Sequence, residues 1–242
     1  MEKQDALWPG GYRFIFDDTL FQPSTDSFVL AAFPPLKRGM RVCDLGSGSG
    51  LLGLLLLARQ EELHITNIEI QAAACALSQR NAQCNGLGDR ITTYHTDLRD
   101  LSCLPKGTSF DLVISNPPYF PPGAGLLSPD DARRTARSEV SCTLEDICRA
   151  ASCLLAYGGR LCLVFRPERM AELFSLLRQY HLEPKRLRFV QHTAAAAPKL
   201  LLLESRKDGR PGLAVEPPLL LHNADGSDTE EYKRIYFRNK EE

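Results

Sequence analysis

The sequence predicts an α/β fold in which helices cover both faces of a seven-stranded, mostly parallel sheet with one antiparallel strand in the edge region. From residue 40 onward, β-branched and apolar runs alternate with helical patterns, an order typical of parallel strands joined by crossover helices. A glycine-rich turn follows the first of these runs. The last two strand patterns are too close in sequence for a helix between them, so we expect them to pair without a crossover.

Each strand and helix is assigned from its own pattern. Apolar and β-branched residues mark strands at residues 40–45, 64–70, 91–96, 110–115, 160–165, 185–191 and 199–205. Helices are expected from the glycine turn to about residue 60 and over residues 72–85, 144–157 and 167–180. Gly86 follows the second helix and Pro167 opens the last one, which are positions that these residues favour at helix ends.

The length of 242 residues is that of one domain with extensions. We expect an N-terminal extension over residues 1–35, a central α/β domain over residues 36–206 and a C-terminal tail over residues 207–242. The tail is rich in proline, glycine and charged residues, and no internal repeat or low-complexity segment interrupts the order.

The composition indicates an ordinary globular protein, with 43% hydrophobic residues, 24% charged residues and a net charge of −1. No apolar run approaches the roughly 18 residues that cross a bilayer, and residues 1–10 lack the pattern of a secretory signal. The eight cysteines contain no C-x-x-C pair, and the histidines show no ligand spacing. We therefore expect free thiols, no metal, no membrane association and a cytoplasmic location.

Basic residues are distributed unevenly. Lysine and arginine outnumber acidic residues over residues 178–210, and Arg133, Arg134 and Arg137 form a second cluster. Such clusters are commonly solvated faces of helices and strands, but phosphate groups of nucleic acids also bind to them. The charge pattern alone favours RNA only weakly.

The strongest motif is Asp-Leu-Gly-Ser-Gly-Ser-Gly at residues 44–50, between the first predicted strand and the first helix. Its three glycines let the backbone turn and approach a ligand without a Cβ in the way, and N–H groups at the helix start face that ligand. The spacing differs from the G-x-G-x-x-G dinucleotide fingerprint. The acid before the glycines suits a cofactor with a cationic amino-acid end. The candidate residues of this loop are Asp44, Gly46, Ser47, Gly48 and Gly50.

Two further acids end the next two predicted strands. Glu69 can accept hydrogen bonds from both ribose hydroxyls of a nucleoside, although alone it would be read as an exposed residue at a strand end. Asp97 is placed to meet an adenine amine or, alternatively, to cap the following turn. Because ligands bind at the carboxyl ends of strands in open α/β sheets, these acids and the glycine loop together indicate a nucleoside cofactor.

The fourth predicted strand runs directly into Asn-Pro-Pro-Tyr. The Asn116 side-chain oxygen and the Pro117 carbonyl can accept both hydrogens of a planar amino group, whose delocalised lone pair makes it a poor nucleophile. Pro117 and Pro118 stiffen the backbone. Tyr119, with Phe120 beside it, can stack on the planar group. The alternative is a tight loop that merely ends the strand.

These motifs resemble the Rossmann-like class I amino methyltransferases. Residues 21–32 (Phe-Gln-Pro-Ser-Thr-Asp-Ser, then Val-Leu-Ala-Ala after one residue) resemble the family segment ahead of the glycine loop, and residues 137–139 (Arg-Ser-Glu) resemble the segment after the catalytic loop. Over residues 12–206 the pattern is similar to that of the bacterial tRNA1(Val) adenine-N6 methyltransferases.

The resemblance implies a SAM-dependent methyltransferase fold and methylation of the adenine beside the anticodon of a tRNA, with S-adenosylmethionine as cofactor. It assigns the methionine end of the cofactor to Asp44 and the glycine loop, the ribose to Glu69 and the adenine edge to Asp97. Thr25 and Asp26 in the N-terminal extension would approach the cofactor, or else cap a helix.

The resemblance also implies that residues 116–119 hold the target base, with Asn116 next to the cofactor as well. Charge and position make Arg133, Arg134 and Arg137 candidate contacts to tRNA, together with Phe120 as a stacking residue. The oligomeric state, monomer or homodimer, stays open.

Three alternative functions stay open. Asn-Pro-Pro-Tyr also occurs in enzymes that methylate a glutamine amide of translation release factors, although these carry a helical domain where only about 35 residues stand here. The same chemistry modifies bases of rRNA or DNA. A non-catalytic SAM-fold subunit that binds RNA would usually lack Asn116 or the glycine loop, and both are intact.

Overall fold

The computed structural model describes residues 2–17, 20, 23–104, 107, 109–119 and 142–237. Ahead of the main sheet, β1 (Glu2–Ala6) and β2 (Arg13–Asp17) form an antiparallel hairpin, and α1 (Thr25–Ala32) follows.

The main sheet and its helices follow in chain order. The strands are β3 (Arg41–Leu45), β4 (His64–Glu69), β5 (Ile91–His95), β6 (Phe110–Ser115), β7 (Leu155–Phe165), β8 (Leu182–Gln191), β9 (Leu200–Lys207), β10 (Ala214–Val215) and β11 (Leu219–Leu220). The helices are α2 (Leu51–Leu57), α3 (Ala72–Cys84), α4 (Leu144–Leu154), α5 (Met170–Gln179) and α6 (Glu230–Ile235), with a 3₁₀ turn over Pro167–Arg169 before α5.

The strand order is β10-β8-β9-β7-β6-β3-β4-β5, and β11 also pairs with β8. Strand β9 is antiparallel to both β7 and β8, and every other pair in this sheet is parallel. The predicted Rossmann-like α/β architecture is therefore confirmed. The described sheet has nine strands rather than the predicted seven, because two short segments of the tail add to the outer edge of β8. The antiparallel strand lies between β7 and β8 instead of at the edge itself.

The predicted junction between α4 and β7 was wrong. The helix expected over residues 144–157 ends at Leu154, and Leu155 already has extended backbone angles (φ −67°, ψ 140°) as the first residue of β7. Strand β7 therefore begins before the expected residue 160, because Leu155 pairs with Phe110 of β6. A register irregularity between Phe110 and Leu112 accommodates the extra length. The helical sequence pattern runs to residue 157, but the residues from Leu155 onward belong to strand β7.

The core lies on both faces of the sheet. Helix α2 is apolar around its whole circumference and every one of its residues is buried, as expected of a helix enclosed between other elements. Gly53 lets this helix approach the sheet, because a Cβ there would lie 3.1 Å from Ile65 Cγ2. The close fit holds the start of α2, and the loop before it, against the sheet.

The C-terminal tail packs back onto β8. Arg188 forms a two-point ion pair with Glu231 of α6 (2.6 and 2.8 Å), and Arg186 bonds to Glu216 at 3.2 Å. Lys185 donates to a main-chain carbonyl of the tail at 3.0 Å. These three basic side chains of the 178–210 cluster are thus engaged within the chain. Their arrangement favours an intramolecular role over phosphate contact.

All eight cysteines carry free thiols. Within the described ranges, no group of three or more His, Cys, Asp or Glu side chains is arranged to hold a metal ion. None of the helices that the structure describes is long and apolar enough to span a membrane.

Candidate active site

Two predicted motifs leave the sheet side by side. Strands β3 and β6 are parallel neighbours, but the chain continues from β3 to β4 on one side and from β6 to β7 on the other. Such a reversal of strand order opens a crevice at the carboxyl ends of the two strands, where α/β proteins bind ligands. Asp44 of β3 pairs with Ile114 of β6. The glycine loop and residues 116–119 therefore begin at neighbouring positions of this crevice.

The loop after β3 depends on glycine for its backbone conformation. Gly46, Gly48 and Gly50 have φ angles of 71°, 54° and 82°, in the left-handed region that residues with a Cβ rarely adopt. The backbone N–H of Gly46 donates to the Ile68 carbonyl at 2.9 Å. Gly48 donates its N–H to the Glu69 carboxylate at 2.8 Å. The loop is thus held against the end of β4.

Gly50 is also required by close packing. A Cβ at this position would lie 2.7 Å from Ser78 Oγ and 3.2 Å from Asn67 Nδ2. Asn67 and Ser78 are themselves hydrogen-bonded at 2.9 Å, and Asn81 donates to the Ser49 carbonyl at 3.0 Å. A polar network from β4 and α3 therefore supports the loop from below.

Asp44 is completely buried, and neither of its carboxylate oxygens has a hydrogen-bond partner among the described residues. Burial raises the pKa of this carboxyl well above its usual range, and the nearby Glu69 carboxylate adds to the increase. Ser47 and Ser49 also have buried hydroxyls without a hydrogen-bond partner in the described part of the chain. Unpartnered acceptors of this kind fit a ligand that brings a cationic donor, such as an α-amino group. A Cβ at Gly46 would meet nothing within 4 Å, so there is room beside the loop.

Glu69 is buried, and its carboxylate is held in place by two backbone donors. One oxygen accepts from Gly48 and the other from the N–H of Gln71, both at 2.8 Å. Each oxygen keeps further acceptor capacity, because a carboxylate oxygen has two lone pairs. The arrangement fits a ligand with two adjacent hydroxyls, as predicted for a ribose.

Asp97 follows β5, as predicted, and its carboxylate is engaged by Arg99. It accepts the Arg99 backbone N–H at 2.9 Å and side-chain N–H groups at 2.6–3.0 Å. These bonds lower the pKa of Asp97. The turn-capping alternative is what the structure shows for this side chain. Its contact with an adenine edge stays a prediction.

The Asn-Pro-Pro-Tyr segment is tied to α1. Asn116 Nδ2 donates to Ser27 Oγ at 3.3 Å, and the Tyr119 hydroxyl lies 2.5 Å from Asp26 Oδ2 and 3.1 Å from Asn116 Oδ1. Pro117 is buried and Pro118 is exposed. The N-terminal segment therefore reaches the predicted catalytic residues directly.

Tyr119 is held from several sides and is only 6% exposed. Its ring meets Phe165 edge-on with centroids 6.0 Å apart, and the Arg166 guanidinium lies 5.0 Å from the ring centroid. Arg169 Nη1 donates to the Tyr119 carbonyl at 2.6 Å. Residues at the end of β7 and just after it thus hold Tyr119, whose predicted role is to stack on a planar group.

Thr25 and Asp26, predicted at the cofactor, have other contacts. Thr25 Oγ1 accepts the hydroxyl of Tyr236 at 3.1 Å, and Asp26 contacts Tyr119. Sequence reasoning did not single out Ser27, although Ser27 stands inside the quoted N-terminal motif. Nothing local in the sequence marks Tyr236 as a partner of α1. The predicted RNA contacts Phe120, Arg133, Arg134 and Arg137 lie outside the described residues.

The chain matches the methyltransferase small domain family over residues 24–184. The tRNA1(Val) (adenine(37)-N6)-methyltransferase of Pectobacterium carotovorum is 35% identical over 194 residues, which are 79% of this chain and 77% of that protein. A protein of the same name from Porphyromonas gingivalis is 32% identical over 236 residues, which are 92% of this chain and 91% of the relative.

Solved structures share the fold. A predicted O-methyltransferase from Agrobacterium tumefaciens superposes with a TM-score of 0.71 at 22% identity, covering 88% of this chain and 96% of that one. A 16S rRNA N2 methyltransferase from T. thermophilus, solved with AdoMet and guanosine, gives a TM-score of 0.60 at 21% identity. That match covers 86% of this chain and 50% of the other.

Proposed function

This chain belongs to the family of tRNA1(Val) (adenine(37)-N6)-methyltransferases, with the methyltransferase small domain as its core, and we propose that it methylates N6 of adenine 37 in tRNA1(Val). It is a SAM-dependent methyltransferase. The observation that carries the proposal is the register of β3 with β6, which brings the glycine loop next to Asn116.

The target atom determines what the site must do. The N6 amino group of adenine is a weak nucleophile because its lone pair is delocalised into the ring. Asn116 Oδ1 and the Pro117 carbonyl accept its two hydrogens, which favours a tetrahedral nitrogen with a directed lone pair. No strong base is required, since the nitrogen becomes acidic once it is alkylated. Positioning of this kind can contribute about 7–11 kcal/mol, and the fixed dipoles of the two acceptors add to it.

The proposed cofactor site combines Asp44, whose oxygens have no hydrogen-bond partner among the described residues, with the glycine loop and Glu69. Asp44 accepts the α-amino group of S-adenosylmethionine, the backbone around Gly46 and Gly48 holds the methionine end, and Glu69 accepts the ribose hydroxyls. When bound, S-adenosylmethionine supplies an electrophilic methyl group on a sulfonium sulfur. Burial of Asp44 strengthens its interaction with a cationic ligand, because water competes less for the carboxylate.

The tRNA substrate is proposed from the relatives. A tRNA presents adenine 37 unpaired in a loop, so the base can enter a pocket without opening a duplex. Arg133, Arg134 and Arg137, which follow the Asn-Pro-Pro-Tyr segment in the sequence, are proposed as phosphate contacts. Such a substrate places the activity in the cytoplasm.

The experiment is a methylation assay on defined RNA. Unmodified tRNA1(Val) transcript is incubated with the protein and S-adenosylmethionine, then digested and analysed by mass spectrometry. We expect one N6-methyladenosine per transcript, and none from a transcript with guanine at position 37 or from the Asn116→Ala variant. Modified guanine, a methylated glutamine in a release factor, or methylation of rRNA or DNA but not of the tRNA would contradict the proposal.

A non-catalytic RNA-binding subunit is the candidate from a different class. It would bind the transcript but give no methylated nucleoside, and S-adenosylmethionine would not raise its melting temperature.

A further inference from the structure

Helix α1 delivers two polar side chains to the catalytic segment. Ser27 Oγ lies 3.3 Å from Asn116 Nδ2, and Asp26 Oδ2 lies 2.5 Å from the Tyr119 hydroxyl. Ser27 is 1% exposed, so its contact with Asn116 is shielded from water. The two side chains are consecutive in sequence, and they contact different members of the same segment.

The first contact engages the nitrogen end of the Asn116 amide. An asparagine side chain has an oxygen that accepts and a nitrogen that only donates. Only the oxygen can receive a hydrogen of the target amino group. Donation from Nδ2 to Ser27 Oγ turns the nitrogen toward α1, and Oδ1 is then left for the substrate.

The second contact decides where the Tyr119 hydroxyl proton goes. The hydroxyl oxygen lies 2.5 Å from Asp26 Oδ2 and 3.1 Å from Asn116 Oδ1, but it has one hydrogen to donate. A carboxylate at the shorter distance is the stronger acceptor. The proton therefore points to Asp26, and the Asn116 oxygen does not have to share its lone pairs with Tyr119.

Given the proposed methylation of an amino nitrogen, we infer that Asp26 and Ser27 are positioning residues that keep Asn116 Oδ1 oriented toward the substrate and free of the Tyr119 proton. This role differs from the cofactor contact that the sequence suggests for Asp26. Helix α1 is held in place for this role, since Phe28 stacks on Tyr236 with ring centroids 4.2 Å apart and planes 6° apart.

Single substitutions test the role with a kinetic split. Asp26→Asn and Ser27→Ala should each lower kcat about tenfold, the effect of about one hydrogen bond, and leave the Kd of S-adenosylmethionine within about twofold. Asp225→Asn and Ser227→Ala are matched controls in an exposed turn, and they should leave kcat unchanged. Calorimetry gives the Kd, and the tRNA assay gives kcat.

A double-mutant cycle separates this role from general support of the fold. Tyr119→Phe removes the competing proton but keeps the ring. Asp26→Asn should therefore have little further effect in the Tyr119→Phe background, within about twofold. Tyr119→Phe alone should keep kcat within about twofold of the wild type, whereas a merely structural hydrogen bond would make Tyr119→Phe as damaging as Asp26→Asn, because both remove the same contact. Multiplicative effects, or a large rise in the Kd of S-adenosylmethionine with normal kcat, would overturn the inference.

A spectroscopic test needs no substrate, so it separates failure of this inference from failure of the proposed function. The side-chain amide signal of Asn116 is assigned in ¹⁵N-asparagine-labelled protein by its loss in Asn116→Ala. Ser27→Ala should shift this signal, and the control Ser227→Ala should not. If the Asn116 signal is unchanged in Ser27→Ala, the inference is overturned, even if the protein methylates the tRNA. If the signal shifts, the inference is supported, even if the protein methylates a nitrogen other than N6 of adenine 37.

Discussion

Replacement of Asp44 by asparagine should make the protein more stable and unable to bind its cofactor. The side chain is fully buried, with both oxygens unpartnered among the described residues. Asparagine keeps the shape and removes the charge, although it leaves polar atoms in the same place. A buried unsatisfied group costs about 1–3 kcal/mol. We therefore expect the free energy of unfolding of Asp44→Asn to exceed that of the wild type by about 1 kcal/mol at neutral pH, near the low end of that range. For a chain of this size that is roughly 2–4 °C in Tm.

The pH dependence of this gain has a defined sign. Burial, with help from Glu69, raises the pKa of Asp44 in the folded protein. The folded protein then keeps a proton that the unfolded chain loses once the pH passes the ordinary carboxyl range. Wild-type stability is fully present below that range and falls as the pH rises toward the folded pKa. The advantage of Asp44→Asn should therefore be absent in acid and grow with pH.

Thermal unfolding with and without S-adenosylmethionine measures both effects. At a cofactor concentration of about 100 times Kd, the wild type should gain about 2.7 kcal/mol, or roughly 5–11 °C at this size. Asp44→Asn should gain almost nothing, and Asp89→Asn, at an exposed position, should behave like the wild type. A full cofactor-induced shift in Asp44→Asn, or a lower Tm of its free form, would refute the reasoning.

Three further predictions concern the loop, the tail and α1. Gly50→Ala should lower Tm by several degrees, because residue 50 has a φ of 82° and its new Cβ would lie 2.7 Å from a hydroxyl; Gly88→Ala, with open space around it, is the control, and equal Tm values would contradict the packing argument. Glu231→Gln should lower Tm slightly at pH 7, since Arg188 lowers the pKa of Glu231. The difference in Tm should vanish as the pH falls through the carboxyl range, and a difference that persists in acid would contradict a stabilising ion pair. Tyr236→Ala should reduce kcat at saturating cofactor more than Tyr236→Phe, because the ring stacks on Phe28 of α1 and this contact stabilises α1 more than the hydroxyl does. Equal kcat values for the two variants would contradict a role of the stacked ring.

The parts of the site that come from short, local motifs were predictable. The glycine loop needs positive φ angles that glycine adopts without strain, and Asn116 to Tyr119 directly follow a strongly apolar strand. In a parallel sheet, a side chain that follows a strand lies at the carboxyl edge, where ligands bind. The position of Glu69 at the end of β4 could be predicted for the same reason.

Contacts between distant segments could not be predicted from patterns. Asp26 meets Tyr119 across 93 residues, and Tyr236 meets Thr25 across 211. Neither pair has a spacing that a helix or strand period would reveal, so the sequence indicated only that α1 approaches the site. Strands β10 and β11 are two residues long, too short to show an alternating pattern, which explains why the predicted count of seven strands did not include them.

A crystal structure with S-adenosylhomocysteine, the demethylated cofactor, is the most direct test of the site. We expect the amino-acid end of the ligand at Asp44 and the ribose at Glu69, with the sulfur directed toward Asn116. Binding at another place, such as the cavity of about 270 Å³ lined by Val29, Arg59 and Ile235, or a sulfur turned away from Asn116, would contradict the account.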